Sequence, residues 1–341
     1  MPLSGDFDYI QAKTHGLRSR VYEGGRLDDL CDLRAVTQLW HRLYPEAEPA
    51  DHRELQRRLL ADHVATLQTI RQHLPQRLQA FFTWVMRRFQ MENLKVLLRA
   101  WKAGERWERV APFLARLPTA LELPAEALLQ AQSLADFLML IPVRAFRRAG
   151  QRGAAHHAET GQTFVVEIGF EAGYYEALLG QLGRLPGKHR RGASPLVRQE
   201  AAIYNLLALF RVKLGYEVPF ERAARFFVPV EPHPFRIERL YALPHFDDMV
   251  ALVPRGLLPR GMEAPLRTIA DLERALWQRM LVVANRRFYR SLEDVGGILA
   301  FAQIKRVELA NLIRVIEGVR YGLDAGAIRQ GLIRLPQPVA S

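Results

Sequence analysis

Met91-Glu92-Asn93-Leu94-Lys95-Val96-Leu97-Leu98-Arg99-Ala100-Trp101-Lys102-Ala103-Gly104 is the stretch on which the reading of the fold turns. Four asparagines occur in the 341-residue chain, and three share this setting: Asn93-Leu94, Asn205-Leu206 and Asn311-Leu312. They lie 112 and 106 residues apart, which divides the chain into near-equal thirds. Each pair opens the second half of an apolar stretch with helical period. Each stretch stops at a glycine, Gly104, Gly215 or Gly322, at offsets of 11, 10 and 11 from the asparagine. Repetition at a fixed long period implies units that bury their apolar faces against their neighbours. The expectation is one helical unit used three times, over 1–118, 119–232 and 233–341.

Outward from that stretch, Leu78, Phe81, Phe82, Val85, Met86, Leu94, Leu97, Leu98 and Trp101 recur at i, i+3, i+4 spacing, so 76–103 reads as one long helix. Gly104 suits the C′ position, where a left-handed conformation costs glycine little. The second copy runs from about Leu196 to Leu214, and the third opens after Gly296-Gly297 and continues through Ile316. Asparagine is a mediocre helix former, costing up to ~0.7 kcal/mol against alanine in a helix interior. The same costly placement three times predicts an amide that caps or cross-links a neighbouring helix in each unit. Segments 105–114, 216–227 and 323–333 are short, again helical in period, and close at Pro118, Pro229 and Pro336. Tyr174 to Leu179 resembles Leu272 to Leu276, a further shared element. Thr163 to Ile168 is β-rich, but one such segment does not make a sheet. An all-α chain is expected, with the eight prolines of 219–265 leaving that stretch partly irregular.

With 49% apolar residues the chain can bury an ample core. The apolar-rich stretch Ala135 to Pro142, which Asp136 interrupts, is far too short to span a bilayer. The N-terminal residues carry no basic segment followed by an apolar one, so a cytoplasmic protein is expected. Cys31 is the single cysteine, which excludes an intrachain disulfide framework and a thiolate metal site. The formal charge of +12 comes almost wholly from arginine, since lysine occurs only at Lys13, Lys95, Lys102, Lys188, Lys213 and Lys305. Such a charge suits nucleic acid, an anionic membrane surface or acidic partners, and equally suits guanidiniums on solvated helix faces.

Catalytic and ligand-binding patterns are sparse. Gly183-Arg184-Leu185-Pro186-Gly187-Lys188-His189 misses a phosphate-binding loop by one residue between the glycines and by the histidine after the lysine. It reads instead as a basic loop in which Arg184, Lys188, Arg190 and Arg191 can meet an acidic partner. His156-His157-Ala158-Glu159 has adjacent histidines that point apart on any regular element, so a polar loop is the better reading than a metal site. His245-Phe246-Asp247-Asp248 lacks a nucleophile beside it, and its acids suit the start of a helix. No catalytic residue, cofactor site or metal site is assigned. A basic helical-repeat scaffold that binds nucleic acid and an α-helical enzyme built around His245 and Asp247 stand as the competing classes.

Three motifs in order carry a resemblance. Tyr9-x-x-Ala12-Lys13 with Arg18-Ser19-Arg20, the run Glu92 to Ala100, and Lys305-x-x-Glu308-x-x-Asn311-Leu312-x-Arg314 with Gly322-Leu323 resemble the C-subunit family of bacterial and archaeal V/A-type ATPases, the counterpart of the vacuolar d-subunit. The middle third departs, with Tyr204 where the first has Glu92 and its glycine one residue early. The resemblance implies three similar helical units around a pseudo-threefold axis, forming a funnel-shaped socket. It implies a central-stalk rotor component, non-catalytic and without cofactor, which couples the shaft subunits to the membrane proteolipid ring for rotary proton or sodium transport. One copy per rotor, peripheral on the cytoplasmic face of the membrane and without nucleic acid, is implied as well. Asn93, Arg99, Gly104, Asn205, Arg211, Gly215, Asn311, Arg314 and Gly322 are the structural repeat-signature residues of the three units.

Overall fold

The computed structural model describes residues 5–230, 235–262, 265–291 and 293–336. Among these the chain is helical, with no strand. In order the helices are α1 Gly5–Arg18, α2 Gly25–Cys31, α3 Val36–Leu43, α4 His52–His73, α5 Gln76–Lys102, α6 Trp107–Val110, α7 Ala125–Leu129, α8 Leu134–Met139 and α9 Arg144–Gln151. There follow α10 Ala154–Thr160, α11 Phe164–Gly183, α12 Gly187–Phe210, α13 Phe220–Ala223, α14 Ile237–Tyr241, α15 Phe246–Ala251, α16 Ile269–Arg290, α17 Val295–Arg320 and α18 Ala325–Gln330. Short polar side chains start many of them. Asp51, Ser133, Thr268, Asp294 and Asp324 each accept a backbone N–H from the first turn of the helix that follows. Asp247 and Asp248 stand in the first turn of α15, where the helix dipole favours negative charge.

One order of elements occurs three times. Two short helices come first, the second beginning five residues after the last residue of the first: α2 and α3, α7 and α8, α14 and α15. Two long helices follow, α4 and α5, α11 and α12, α16 and α17, and then one short helix, α6, α13 or α18. The middle passage adds α9 and α10. The expected boundary at 232/233 lies outside the described residues.

Thr163 to Ile168 is not a strand. From Phe164 it forms the first turns of α11, with Val165 and Val166 fully buried. Packing decides this against β propensity, which is a weak prior. α11 crosses α9 so closely that a β-carbon at Gly169 would stand 2.5 Å from the Ala149 carbonyl oxygen, and one at Gly173 would stand 2.7 Å from that of Ala145. In a helix, positions four apart share one face, so both glycines meet α9 one turn apart.

The helices form two compact units. The first holds residues up to Pro75, Arg191–Leu196 of α12, and Arg255 onwards. α17 is its centre and packs on α16, α4, α1, α2, α3 and α18. Its apolar core joins Leu27, Leu30, Leu39, Trp40 and Leu55 from the start of the chain to Val315, Ile316, Val319, Ile328 and Leu332 from the end. The second unit holds Gln76–Arg190 and Val197–Pro254. There α11 packs on α5 and α9, and Phe81, Phe82, Phe137, Phe146, Phe170 and Tyr174 are buried almost completely.

Candidate functional site: clamps and ion pairs

All three asparagines make the same pair of hydrogen bonds. Asn93 Nδ2 donates to the Ala115 carbonyl at 2.8 Å, and the Ala115 amide donates to Asn93 Oδ1 at 2.8 Å. Asn205 does the same with Val228, at 2.8 and 2.8 Å, and Asn311 with Ile333, at 2.7 and 2.9 Å. Each side chain thereby fastens a long helix to the backbone leaving the short helix beyond it. All three are buried, Asn205 completely. A primary amide is the one uncharged side-chain group with an acceptor and donors side by side, so it closes both bonds to one residue's backbone.

The turns between helix and clamp explain the unequal glycine offsets. Gly104 and Gly322 are left-handed, φ +67° and +68°. In both turns the glycine amide donates three residues back, to Trp101 or Val319, and the next amide donates five back, to Ala100 or Gly318. This is the Schellman arrangement. The middle turn differs: α12 continues into a π-helical turn, Arg211–Gly215, and Gly215 is not the left-handed residue. Glu217 takes that role at φ +51°, and the Val218 amide reaches six residues back to Val212. The wide turn absorbs one extra residue, so Asn205 and its clamped partner lie 23 apart where the other two pairs are 22 apart.

The signature arginines do not share one environment. Arg99 stands six residues after its asparagine and forms a forked pair with Glu167, the Nε contact at 2.8 Å. Arg211 holds the same offset in the middle third. Arg314 lies three after Asn311, where burial pulls its guanidinium below the ordinary pKa. Glu317 occupies the sixth position there.

Carboxylates that the sequence did not single out complete the charge network of the second unit. Lys95 meets Glu171 at 2.6 Å, one turn before the Arg99–Glu167 pair, so two matched pairs zip α5 to α11. Burial opposes the charge on Lys95, yet Glu171 and Glu92 outweigh it and raise its pKa. Arg88 pairs with Glu200, whose side chain is 2% exposed, and donates to the Tyr175 hydroxyl at 2.6 Å. The partners lie 68 to 112 residues apart in sequence, so no local motif could join them. The only visible signal was a pair of glutamates four apart in the otherwise apolar stretch of α11.

Arg184, Lys188, Arg190 and Arg191 are exposed. The connection itself is only three residues, and all but Arg184 belong to the first turns of α12. His156 and Glu159 belong to α10, where His156 Nε2 contacts Gln162 at 3.1 Å and Glu159 pairs with Arg222. His245 caps α15.

Fold and site together define a helical scaffold whose buried amides and ion pairs fasten its own elements to one another. A family model described as ATP synthase (C/AC39) subunit matches residues 10–331, and the chain belongs to that family. Membership implies a non-catalytic rotor component of a V/A-type ATPase, within the rotary complex. No curated protein matches the sequence. No helix among the described residues is long and apolar enough to cross a membrane.

Proposed function

We propose that this chain is the socket of the rotor, coupling the central shaft to the membrane proteolipid ring during rotary proton or sodium transport. In this reading 1–118, 119–232 and 233–341 are three similar helical units around a pseudo-threefold axis. They form a funnel whose open end receives the shaft and whose narrow end rests on the cytoplasmic loops of the ring, one copy per rotor. The observation that carries the reading is the family match over 10–331 together with three clamps of one geometry. A part that transmits torque needs stiffness, and repeated units supply it when each packs on the next. Each clamp adds two buried hydrogen bonds that water cannot replace, so the short helices cannot swing free without stranding a peptide group. Asn93, Arg99, Gly104, Asn205, Arg211, Gly215, Asn311, Arg314 and Gly322 serve that shape, and the exposed set Arg184, Lys188, Arg190 and Arg191 serves as a partner surface.

Co-purification of the tagged chain from solubilised host membranes tests the reading. Stoichiometric shaft subunits and proteolipid are the expected result, weakened when the four basic residues are reversed to glutamate. Recovery of nucleic acid, or of nothing from the membrane, would overturn it.

A further inference from the structure

The arginines of α16 fall into two groups. Arg274 meets Asp271 at 2.8 Å and Arg287 meets Asp294 at 2.8 Å, so these charges are neutralised within the first unit. Arg279, Arg286 and Arg290 have no carboxylate partner among the described residues. Their spacing of seven and four residues sets them on one stripe of the helix, about 16 Å long at 1.5 Å per residue. Val282 and Val283 lie half-buried between them, and Tyr289 borders the stripe at 58% exposure.

The stripe is also preorganised. Arg279 Nε donates to the Gly256 carbonyl at 3.0 Å, which holds its fork against the turn at Arg255–Leu257. Burial, then the positive charges of Arg286 and Arg260, pull the Arg279 guanidinium below its ordinary pKa. Cations gathered without a counter-ion repel one another, and an anionic partner relieves that repulsion. The partner's shape follows from the stripe. The stripe runs along a single helix, its valines are half-buried between the arginines, and Tyr289 is its one exposed aromatic side chain, so it suits a rod better than a flat lipid surface.

We infer that the Arg279–Arg286–Arg290 stripe of α16 is a docking surface for an acidic amphipathic helix of another protein, with carboxylates at matching spacing and small apolar residues between them. The partner is sought in the rotary complex, so the inference rests on the rotor reading above.

The test places p-benzoylphenylalanine at Val283 in the host, irradiates membranes, and purifies the complex through a tag on this chain. The expected crosslink maps to an acidic helical segment of one other protein of the complex. R279E/R286E/R290E is expected to lower retention in the complex about tenfold at moderate salt, as loss of charge complementarity does. If the triple variant does not fold, R286A/R290A replaces it, since both side chains are exposed. A complex that assembles while the crosslink enters phospholipid, or forms nowhere, overturns the inference and leaves the rotor reading intact. Unchanged retention of the charge variants does the same. Failure of the unsubstituted chain to recover any complex defeats the rotor reading, and this inference with it.

Discussion

Asn93 and Asn311 each satisfy the N–H and C=O of one buried residue, so replacing either strands two backbone groups at once. Asn93→Leu and Asn311→Leu should each destabilise the protein by about 1–3 kcal/mol, the cost of leaving buried polar groups unpaired. Asn285, the fourth asparagine, makes among the described residues one side-chain bond, accepting from Arg18 at 3.1 Å, and Asn285→Leu should cost less. Urea midpoints measure all three, and equal losses would remove the special role of the clamps. His63 offers a prediction of another kind. It is buried on α4, and burial, then Lys305 and Arg306, pull its pKa from 6.5 down to about 3. The folded value lies below the unfolded one, so between pH 6.5 and about 3 the unfolded chain binds a proton that the folded chain refuses. Stability from this group is full above 6.5 and falls by about 1.4 kcal/mol per pH unit below it, roughly 2 kcal/mol at pH 5. His63→Gln should flatten the difference in urea stability between pH 7 and pH 5 by that amount, and an unchanged difference would assign the acid sensitivity elsewhere.

At the scale of elements, legibility follows the range of the interaction. The long helix at 76–103 was plain in the sequence because its apolar period is local, and it is α5 within a residue. The three asparagine settings were equally visible, but not the atoms they hold, since the clamped residue is an unremarkable Ala115, Val228 or Ile333. The middle turn misled for a physical reason. Gly215 looked like the counterpart of Gly104 and Gly322, but a π turn displaces the left-handed position two residues onward to Glu217. An L residue there carries a penalty of about 1–2 kcal/mol, only part of which glycine returns as lost unfolded-state restriction. Glu217 is exposed, so Glu217→Gly removes little contact and should stabilise by about 0.5–1 kcal/mol. Most substitutions destabilise, which makes a rise in the urea midpoint informative. A fall would mean that the Glu217 side chain, not the backbone geometry, sets the turn.

At the scale of the molecule, the first unit unites parts of the chain that the sequence sets furthest apart. Arg329 reaches Asp32 at 2.6 Å and Arg334 reaches Asp28 at 2.5 Å, across 297 and 306 residues. These pairs are partly exposed and worth little alone. The apolar core beneath them decides the matter, because Leu27, Leu30 and Trp40 have as neighbours Val319, Ile328 and Leu332. Nothing in the local pattern of either end announces the other, since each reads as an ordinary amphipathic segment. The consequence is testable by deleting 322–341, which removes α18 and the backbone partner of Asn311. Loss of buried leucine and isoleucine contacts costs about 2–5 kcal/mol per side chain, comparable to the whole margin of a domain. Limited proteolysis should then cut first within 25–55, far along the chain from the deletion, while α5 and α11 in the second unit stay protected. Cleavage confined to the new C-terminus, with 25–55 still resistant, would mean that the start of the chain folds without its end.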